Sequence, residues 1–169
     1  NLVSIGQNLI DEISIFKEKI TKPFYSLEKK ITGETHQSKI SKVASFLNSK
    51  KADFLFVSAP ENVAWLLNIR GHDNPNSPIP NARMIIDKNK KIYLISEKTK
   101  TFDITKEKKI KKNQVINSSE FLTIINQLPG KNIIIDNKTC SVFYENIIKT
   151  KFKILKLNDP IYKLKSIKN

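Results

Sequence analysis

The pattern of apolar and polar residues predicts six helices. The clearest runs from Thr35 to Ser49, because its apolar residues recur three or four positions apart and fall on one face. That stripe consists of Ile40, Val43, Ala44 and Leu47, and the side chains expected to face water are those of Lys39, Lys42 and Lys50. The other five helices are predicted at residues 8–16, 61–67, 120–127, 139–149 and from 159 onward.

Short continuous apolar runs predict the strands of a sheet. Residues 53–58 (DFLFVS) and 131–136 (KNIIID) do not alternate, as expected of strands covered on both faces. Residues 82–86 and 91–95 are joined by a short polar stretch, which predicts an antiparallel hairpin. Further short strands are predicted at residues 2–5, near Val115 and at 152–157, whereas the polar, basic stretch 99–112 is predicted to be loop.

Helices and strands alternate along the chain, with the hairpin in the middle. The hairpin is antiparallel and the later strands need helical crossovers, so this order predicts an α/β fold. We expect a mixed β-sheet of about five to six strands flanked by helices. Residues 20–31 contain Pro23 and no regular spacing, so they are expected to be a connector.

The helix at 61–67 has a recognisable start. Ser58 is followed three residues later by Glu61, which predicts a capping box between them. Pro60 suits the first turn, because its missing N–H would have no helical partner there. Trp65, the only tryptophan, is expected to lie in the core and to anchor the helix beneath the following loop.

The composition is strongly basic. The net charge is +14, yet Arg70 and Arg83 are the only arginines among 30 basic residues. Base-edge and phosphate recognition favour arginine, and the richest lysine run, 106–112, has no aromatic residue for stacking. The pattern favours solvated basic faces over a nucleic-acid partner. A freestanding basic α/β module that binds nucleic acid or an acidic protein is the alternative.

Other features indicate the compartment. The single Cys140 cannot form an internal disulfide and fits a reducing environment. No apolar run approaches the roughly 20 residues that span a bilayer, and residues 1–7 do not resemble a signal peptide. We predict a cytoplasmic protein without a membrane partner. Because the chain starts with Asn1 and its only methionine is Met84, we expect a fragment of a longer protein.

Common catalytic motifs are missing from the sequence. It has no glycine-rich phosphate loop, no HExxH and no G-x-S-x-G. Cys140 is expected to be a small buried apolar residue and His36 a solvated one. Three carboxylates at predicted strand ends are interpreted as turn and capping residues, with a two-metal nuclease as the less favoured alternative: Asp53, Asp87 and Asp136.

The segment from Glu61 to Pro80 concentrates the rare residues, including Trp65, Arg70, Gly71 and His72. Its prolines, at positions 75, 78 and 80, restrict the backbone and predict a stiff loop. A stiff loop suits the wall of a cleft, because it loses little entropy on meeting a ligand. Arg70 and Asp73 either hold this loop, by pairing with each other or with the backbone, or face outward.

The run from Glu61 to Asp73 (ENVAWLLNIRGHD) resembles the D-x-x-A-W-L-L-N-x-R-G-x-D block of Xaa-Pro aminopeptidases. Gly33-Glu34 with Lys39 and Val43 resembles the opening of the second creatinase-type N-terminal domain in the three-domain members. Residues 159–169 (DPIYKLKSIKN) look like the lead into their catalytic domain. Three departures concern specificity: Glu61 replaces the usual Asp, His72 replaces the commoner Ser, and the family's aromatic pair is absent.

The resemblance implies a creatinase/prolidase N-terminal-like sandwich, of the ribonuclease-H-like kind, at residues 33–158. Residues 1–32 then form a linker from a preceding domain, and 159–169 begin the connection to a catalytic domain. The family removes an N-terminal residue that precedes proline, using two divalent metals, typically manganese, held in the catalytic domain. Because no ligand motif matches here, the resemblance implies no catalytic residue, no metal ligand and no activity in this chain alone.

The resemblance also implies residue roles and partners. The candidates for a substrate entrance or a domain interface are Arg70, His72, Asp73 and Asn76, and the candidates for a structural role are Trp65, Gly71 and Pro78. The expected partners are the parent protein's own first N-terminal and catalytic domains, Xaa-Pro peptides and, for the full enzyme, a second copy in a homodimer.

Overall fold

The computed structural model describes residues 22–167. The strand predicted at residues 2–5 and the helix predicted at 8–16 lie outside these described residues. None of the helices between residues 22 and 167 is long and apolar enough to cross a bilayer.

A six-stranded mixed sheet forms the centre of the domain. In chain order, the strands of residues 22–167 are β1 (Tyr25–Ser26), β2 (Phe54–Val57), β3 (Ile69–Arg70), β4 (Arg83–Asp87), β5 (Ile92–Ile95), β6 (Val115–Ile116), β7 (Asn132–Ile135) and β8 (Lys153–Lys156). The sheet order is β6-β5-β4-β2-β7-β8, and β1 pairs separately with β3. Strand β4 is antiparallel to β2 and β5, whereas the other pairs of the large sheet are parallel. The predicted α/β fold with a mixed sheet is confirmed.

Helices cover this sheet. Those of residues 22–167 are α1 (Lys29–Thr32), α2 (His36–Ser49), α3 (Pro60–Leu67), α4 (Phe102–Glu107), α5 (Phe121–Gln127), α6 (Val142–Lys149) and α7 (Pro160–Ser166). The helices predicted within the described residues are confirmed. The loop predicted at 99–112 is wrong, since it contains α4. Burial of Ile104 and Ile110 stabilises this segment, so packing decides a structure that its basic composition conceals.

Two apolar cores lie on opposite faces of the sheet. Along β2, Leu55 and Val57 belong to the core beneath α2 and α3, whereas Phe54 and Phe56 belong to the core beneath α5 and α6. All four side chains are at most 3% exposed. The continuous apolar run of this strand therefore reports burial on both faces, as predicted.

Helix α6 turns a different face to the core than its sequence predicts. The sequence puts Val142, Phe143, Ile147 and Ile148 on one side of this helix, which predicts that this side faces the core. Val142 and Phe143 are instead 71% and 62% exposed, so that prediction is wrong. The buried side chains are Tyr144 and Ile148, one helical turn apart. The ring of Tyr144 packs edge-on against Phe121 at a centroid distance of 4.8 Å, which fixes the rotation of the helix.

The aspartates at strand ends act as turn and capping residues. Asp53 accepts hydrogen bonds from the amides of Lys131 and Asn132, at 2.8 and 3.1 Å, and these bonds help lower its pKa to about 2. Asp87 accepts from two amides of the hairpin turn. Because β2 and β7 are parallel, Asp53 before β2 and Asp136 after β7 lie at opposite ends of these two strands. That separation excludes a metal site that uses all three of these carboxylates together.

Candidate functional site

Helix α3 leads into the segment of rare residues, and it begins differently from the prediction. Its N-cap is Ala59, with Pro60 in the first turn, and no side chain caps it. The predicted capping box is wrong, because both of its members have other partners. Ser58 hydrogen bonds to Thr139 at 2.7 Å, and Glu61 accepts from the Tyr162 hydroxyl at 2.8 Å. These bonds connect the start of α3 to the turn before α6 and to the first turn of α7.

The end of α3 is shaped by Asn68. This residue adopts a left-handed conformation, with φ of 54°, which asparagine tolerates better than most residues. The chain then enters β3, where Ile69 and Arg70 pair with Ser26 and Tyr25 of β1. Asn68 therefore sets the direction in which the candidate loop leaves the helix.

Lys39 occupies the interior between α2 and α3, although it was predicted to face water. Its side chain belongs to a residue that is only 1% exposed. The ammonium group donates to the Asn68 carboxamide oxygen at 2.6 Å and to the Trp65 carbonyl at 3.0 Å. It also lies 4.0 Å from the centroid of the Trp65 ring. The prediction failed because helical spacing does not distinguish a solvated lysine from one that reaches the end of a neighbouring helix.

The surroundings of the Lys39 ammonium group favour a positive charge, although burial opposes that charge. A positive charge at the C-terminal end of α3 is favoured by the helix dipole and by the face of an aromatic ring. Burial nevertheless lowers the pKa of Lys39 to about 8, and the nearby positive charges of Arg70 and Lys42 act in the same direction. Glu34 opposes that shift.

Trp65 lies at the margin of the core, whereas it was predicted to be inside it. Its side chain is half-buried and packs against the apolar core while its ring covers Lys39. A hollow of about 220 Å³ opens beside this ring, with Asn68, Arg70 and Ile31 also in its wall. Trp65 therefore combines the predicted anchoring of α3 with a surface that borders the candidate loop.

Arg70 and Asp73 do not pair with each other. The Arg70 guanidinium donates to the Ile69 carbonyl at 2.8 Å. Asp73 accepts from the buried Lys100 ammonium and, at 2.6 Å, from the amide of Asn81. Of the two predicted ways of holding the loop, the structure shows bonding to the backbone and not the mutual ion pair.

Gly71 permits a close approach within the loop. Its amide donates to the Pro78 carbonyl at 2.9 Å, and a Cβ atom at this position would lie 2.8 Å from the Cα of Pro80. Asn76 is exposed in the turn between them, where its amide donates to the Asn74 side chain at 3.0 Å. The loop thus folds back on itself, with the predicted structural residues Gly71 and Pro78 on either side of its narrow neck.

The two histidines lie in different surroundings. His72 is exposed on the loop, and its ring centroid is 5.3 Å from that of Tyr25 in β1. His36, predicted to be solvated, is 9% exposed at the start of α2, so that prediction is wrong. Burial, together with the positive charges of Lys108 and Lys39, lowers the pKa of His36 to about 4. His36 is therefore neutral at physiological pH.

The described residues do not fit a metal centre or a cysteine nucleophile. Between residues 22 and 167, no group of three or more His, Cys, Asp or Glu side chains is arranged to hold a metal ion. Burial raises the pKa of the Cys140 thiol to about 11, which keeps it protonated. The geometry instead provides a loop held by hydrogen bonds and an ion pair, a half-buried arginine and an aromatic wall.

Sequence reasoning missed three residues that hold this site: Lys39, Asn68 and Lys100. Asn68 directly after an apolar helical run is a signal for a left-handed helix end, and it was available in the sequence. Lys100 gave no such signal, because it is one lysine among many. Lys39 belongs to the motif that resembles the family's domain opening, but its spacing on the helix predicted a solvated side chain. Their burial depends on acceptors that lie far away in the sequence.

The sequence matches the family described as Creatinase/Prolidase N-terminal domain over residues 17–169. The chain belongs to this family. Xaa-Pro aminopeptidase 1 of Dictyostelium discoideum is 32% identical over 174 residues, covering 97% of this chain and 27% of that protein. This chain therefore spans about a quarter of that relative's length. The resemblance seen in the sequence is confirmed at the level of the family.

Solved structures share the fold. The X-prolyl aminopeptidase of Caenorhabditis elegans, a cytosolic enzyme with a di-nuclear active site, matches with a TM-score of 0.75 and 21% identity, over 96% of this chain and 28% of that one. A proline dipeptidase from Streptococcus pneumoniae matches with a TM-score of 0.55 and 18% identity, over 77% of this chain and 98% of that one. At these identities the likeness shows a creatinase/prolidase N-terminal fold.

Lys39 gives the domain a specific dependence of stability on pH. Its pKa is lowered from 10.5 to about 8 in the folded state, so between these values the unfolded chain holds a proton that the folded chain has released. The free energy of unfolding should therefore rise with pH across this window. Denaturant titrations should show that Lys39→Met lacks this contribution, whereas Lys50→Met, at the exposed C-terminal end of the same helix, keeps it. An unchanged slope in Lys39→Met would contradict the buried position.

The narrow neck of the loop predicts that Gly71 cannot be replaced freely. Gly71→Ala should destabilise the domain by about 1–3 kcal/mol, because the new Cβ meets the backbone of Pro80 rather than a flexible side chain. Asn76→Ala, at an exposed position of the same loop, should change stability by less than about 0.5 kcal/mol. Chemical denaturation of both variants provides the measurement, and equal effects would refute the close approach.

Proposed function

We propose that this chain is a noncatalytic N-terminal-type domain of a metal-dependent Xaa-Pro aminopeptidase, which removes an N-terminal residue preceding proline. The single observation that carries the proposal is the 97% coverage of the chain by a relative named Xaa-Pro aminopeptidase 1. The order of the motifs supports the narrower assignment to the second creatinase-type domain of a three-domain member. On this proposal residues 33–158 are the domain proper, residues 1–32 the linker before it, and residues 159–169 the connection to the catalytic domain.

The parent protein's cofactor and surroundings belong to the same proposal. Two divalent metals, manganese by the family resemblance, act in the catalytic domain, outside this chain. The di-nuclear active site of the Caenorhabditis elegans enzyme supports the two metals, and its description as a cytosolic enzyme supports a cytoplasmic location. The partners are the other domains of the parent protein, Xaa-Pro peptides and a second copy of the full enzyme. The comparisons give no support to a freestanding binding module.

The candidate loop is proposed to shape access of the substrate to the catalytic domain. Arg70 is suited to this role, because a guanidinium has five N–H groups and its one hydrogen bond to the described residues is to the Ile69 carbonyl. The remaining donors are available to a carboxylate of the catalytic domain or of a peptide, which a guanidinium binds in a forked geometry.

The surroundings of Arg70 keep it in place for that contact. Pairing of β1 with β3 fixes its backbone, and the loop beyond it is held at Asp73 by Lys100. A preorganised side chain loses little conformational entropy when it binds. His72, Asp73 and Asn76 lie on the same loop and are proposed to border the entrance with it.

The proposal is tested by Arg70→Ala in the full-length parent enzyme. Loss of a charge-assisted hydrogen bond should lower kcat/KM for Xaa-Pro peptides by roughly tenfold to a hundredfold, or change the preferred peptide length. Arg83→Ala is the matched control, because Arg83 lies on β4, with its guanidinium 5.0 Å from the centroid of the Tyr144 ring. An unchanged kcat/KM and an unchanged length preference in folded Arg70→Ala would show that Arg70 does not shape substrate access.

The 169-residue chain assayed alone with manganese and a Xaa-Pro peptide should show no turnover. Turnover at an enzyme-like rate would overturn the assignment.

A further inference from the structure

The hollow beside Trp65 has the size of a site for one small group. It has a volume of about 220 Å³, and its wall includes Trp65, Leu27 and Ile31. Sites for drug-sized ligands have volumes of roughly 300–1,000 Å³. This hollow is smaller, so it suits a group about as large as one amino-acid side chain.

The charges in the wall of this hollow are positive. Among residues 22–167, the ionisable side chains that line it are those of Lys39 and Arg70. Glu34, whose charge also acts on Lys39, is already bound to Lys42 at 2.8 Å. Because complementary charge selects the partner of a site, two cations in one small hollow favour an anion.

Arg70 gives this attraction a direction. Its guanidinium has five N–H groups, and its one hydrogen bond to the described residues goes to the Ile69 carbonyl at 2.8 Å. The side chain is half-buried, yet it forms no ion pair within the described part of the chain. A guanidinium binds a planar carboxylate through two parallel hydrogen bonds, so a carboxylate fits the donors that remain.

The apolar part of the wall distinguishes among anions. Inorganic phosphate has no apolar surface to place against Trp65, Leu27 and Ile31, whereas a carboxylate on an aliphatic stem has one. We propose that this hollow binds a carboxylate on a short aliphatic stem, with Arg70 holding the carboxylate and Trp65 covering the stem. A glutamate side chain and the C-terminal residue of a peptide both provide this chemistry.

This inference deepens the proposed function and rests on it for the place of Arg70 at the substrate entrance. Carboxylate binding is measured in the 169-residue chain, whereas control of access is measured as kcat/KM in the full-length enzyme. The two can therefore fail separately. Binding in the chain, with an unchanged kcat/KM for Arg70→Ala in the enzyme, would support the hollow as a carboxylate site and remove its role in access.

The fluorescence of Trp65 tests the proposal, because Trp65 is the only tryptophan and it lines the hollow. The chain is titrated with glutamate blocked at both termini, which has only a side-chain carboxylate, and with N-acetylleucine, which has only a C-terminal one. Blocked glutamine and N-acetylleucine amide are the uncharged controls. At least one carboxylate should change the fluorescence saturably and bind about tenfold more tightly than its control. The carboxylate that binds more tightly identifies the source, and inorganic phosphate should bind more weakly than it does.

Two substitutions separate this site from general attraction to a basic protein. Arg70→Gln and Arg83→Gln each remove one positive charge from a chain with a net charge of +14, but Arg83 does not line the hollow. Arg70→Gln should weaken carboxylate binding about tenfold, whereas Arg83→Gln should change it by less than about twofold. Arg70→Lys keeps the charge without the fork and should bind with intermediate affinity. Circular dichroism confirms that each variant is folded.

Three outcomes would overturn the proposal. The first is equal affinity for each carboxylate and its uncharged control, and the second is an equal effect of the two glutamine substitutions. The third is phosphate binding as tight as that of the carboxylates, because the apolar wall would then have no part in recognition. The comparison of probes uses the unaltered chain, so it decides the proposal even where a variant does not fold.

Discussion

One buried ammonium group, that of Lys39, connects the two helices on which the candidate site depends. It joins α2 to the C-terminal end of α3 through the Trp65 carbonyl and the Asn68 side chain. Burying a cation is unfavourable unless hydrogen bonds and a favourable field compensate for lost hydration. Two acceptors, a helix C-terminus and an aromatic face provide that compensation here.

The consequences extend along the chain. Asn68 also donates to the Glu34 carbonyl at 2.8 Å, so the segment before α2 is held by the same carboxamide. The left-handed turn at Asn68 directs β3 towards β1, and β3 places Arg70 and the neck at Gly71. The candidate loop is thus positioned by backbone geometry that is fixed in the interior.

The sequence predicted most of the sheet and helices, because burial on two faces leaves a clear pattern in runs such as DFLFVS and KNIIID. It failed where contacts distant in sequence decide the outcome. The sequence predicts a surface position for Lys39 and a helix cap at Ser58. In the fold, Lys39 binds acceptors at the end of α3, and Ser58 hydrogen bonds to Thr139. Helix α4 and the exposed side chains of Val142 and Phe143 were missed for the same reason, since packing overrides a short local pattern.

The candidate loop was found from its rare residues, and its family from their order. The sequence did not show which residues hold the loop in place. Lys100 binds Asp73, and Lys39 binds Asn68 at the end of α3, just before Arg70. Each is a common residue type whose role appears only when the fold brings a partner to it.

The most direct measurement is a double-mutant cycle between Lys39→Met and Asn68→Gly, with stability measured by denaturant unfolding. Each single change leaves a buried polar partner without its bond, and glycine retains the left-handed turn. The account predicts that the double variant loses about 1–3 kcal/mol less stability than the two single losses added together. Additive losses, within about 0.5 kcal/mol, would show that the two residues act independently and would contradict the account.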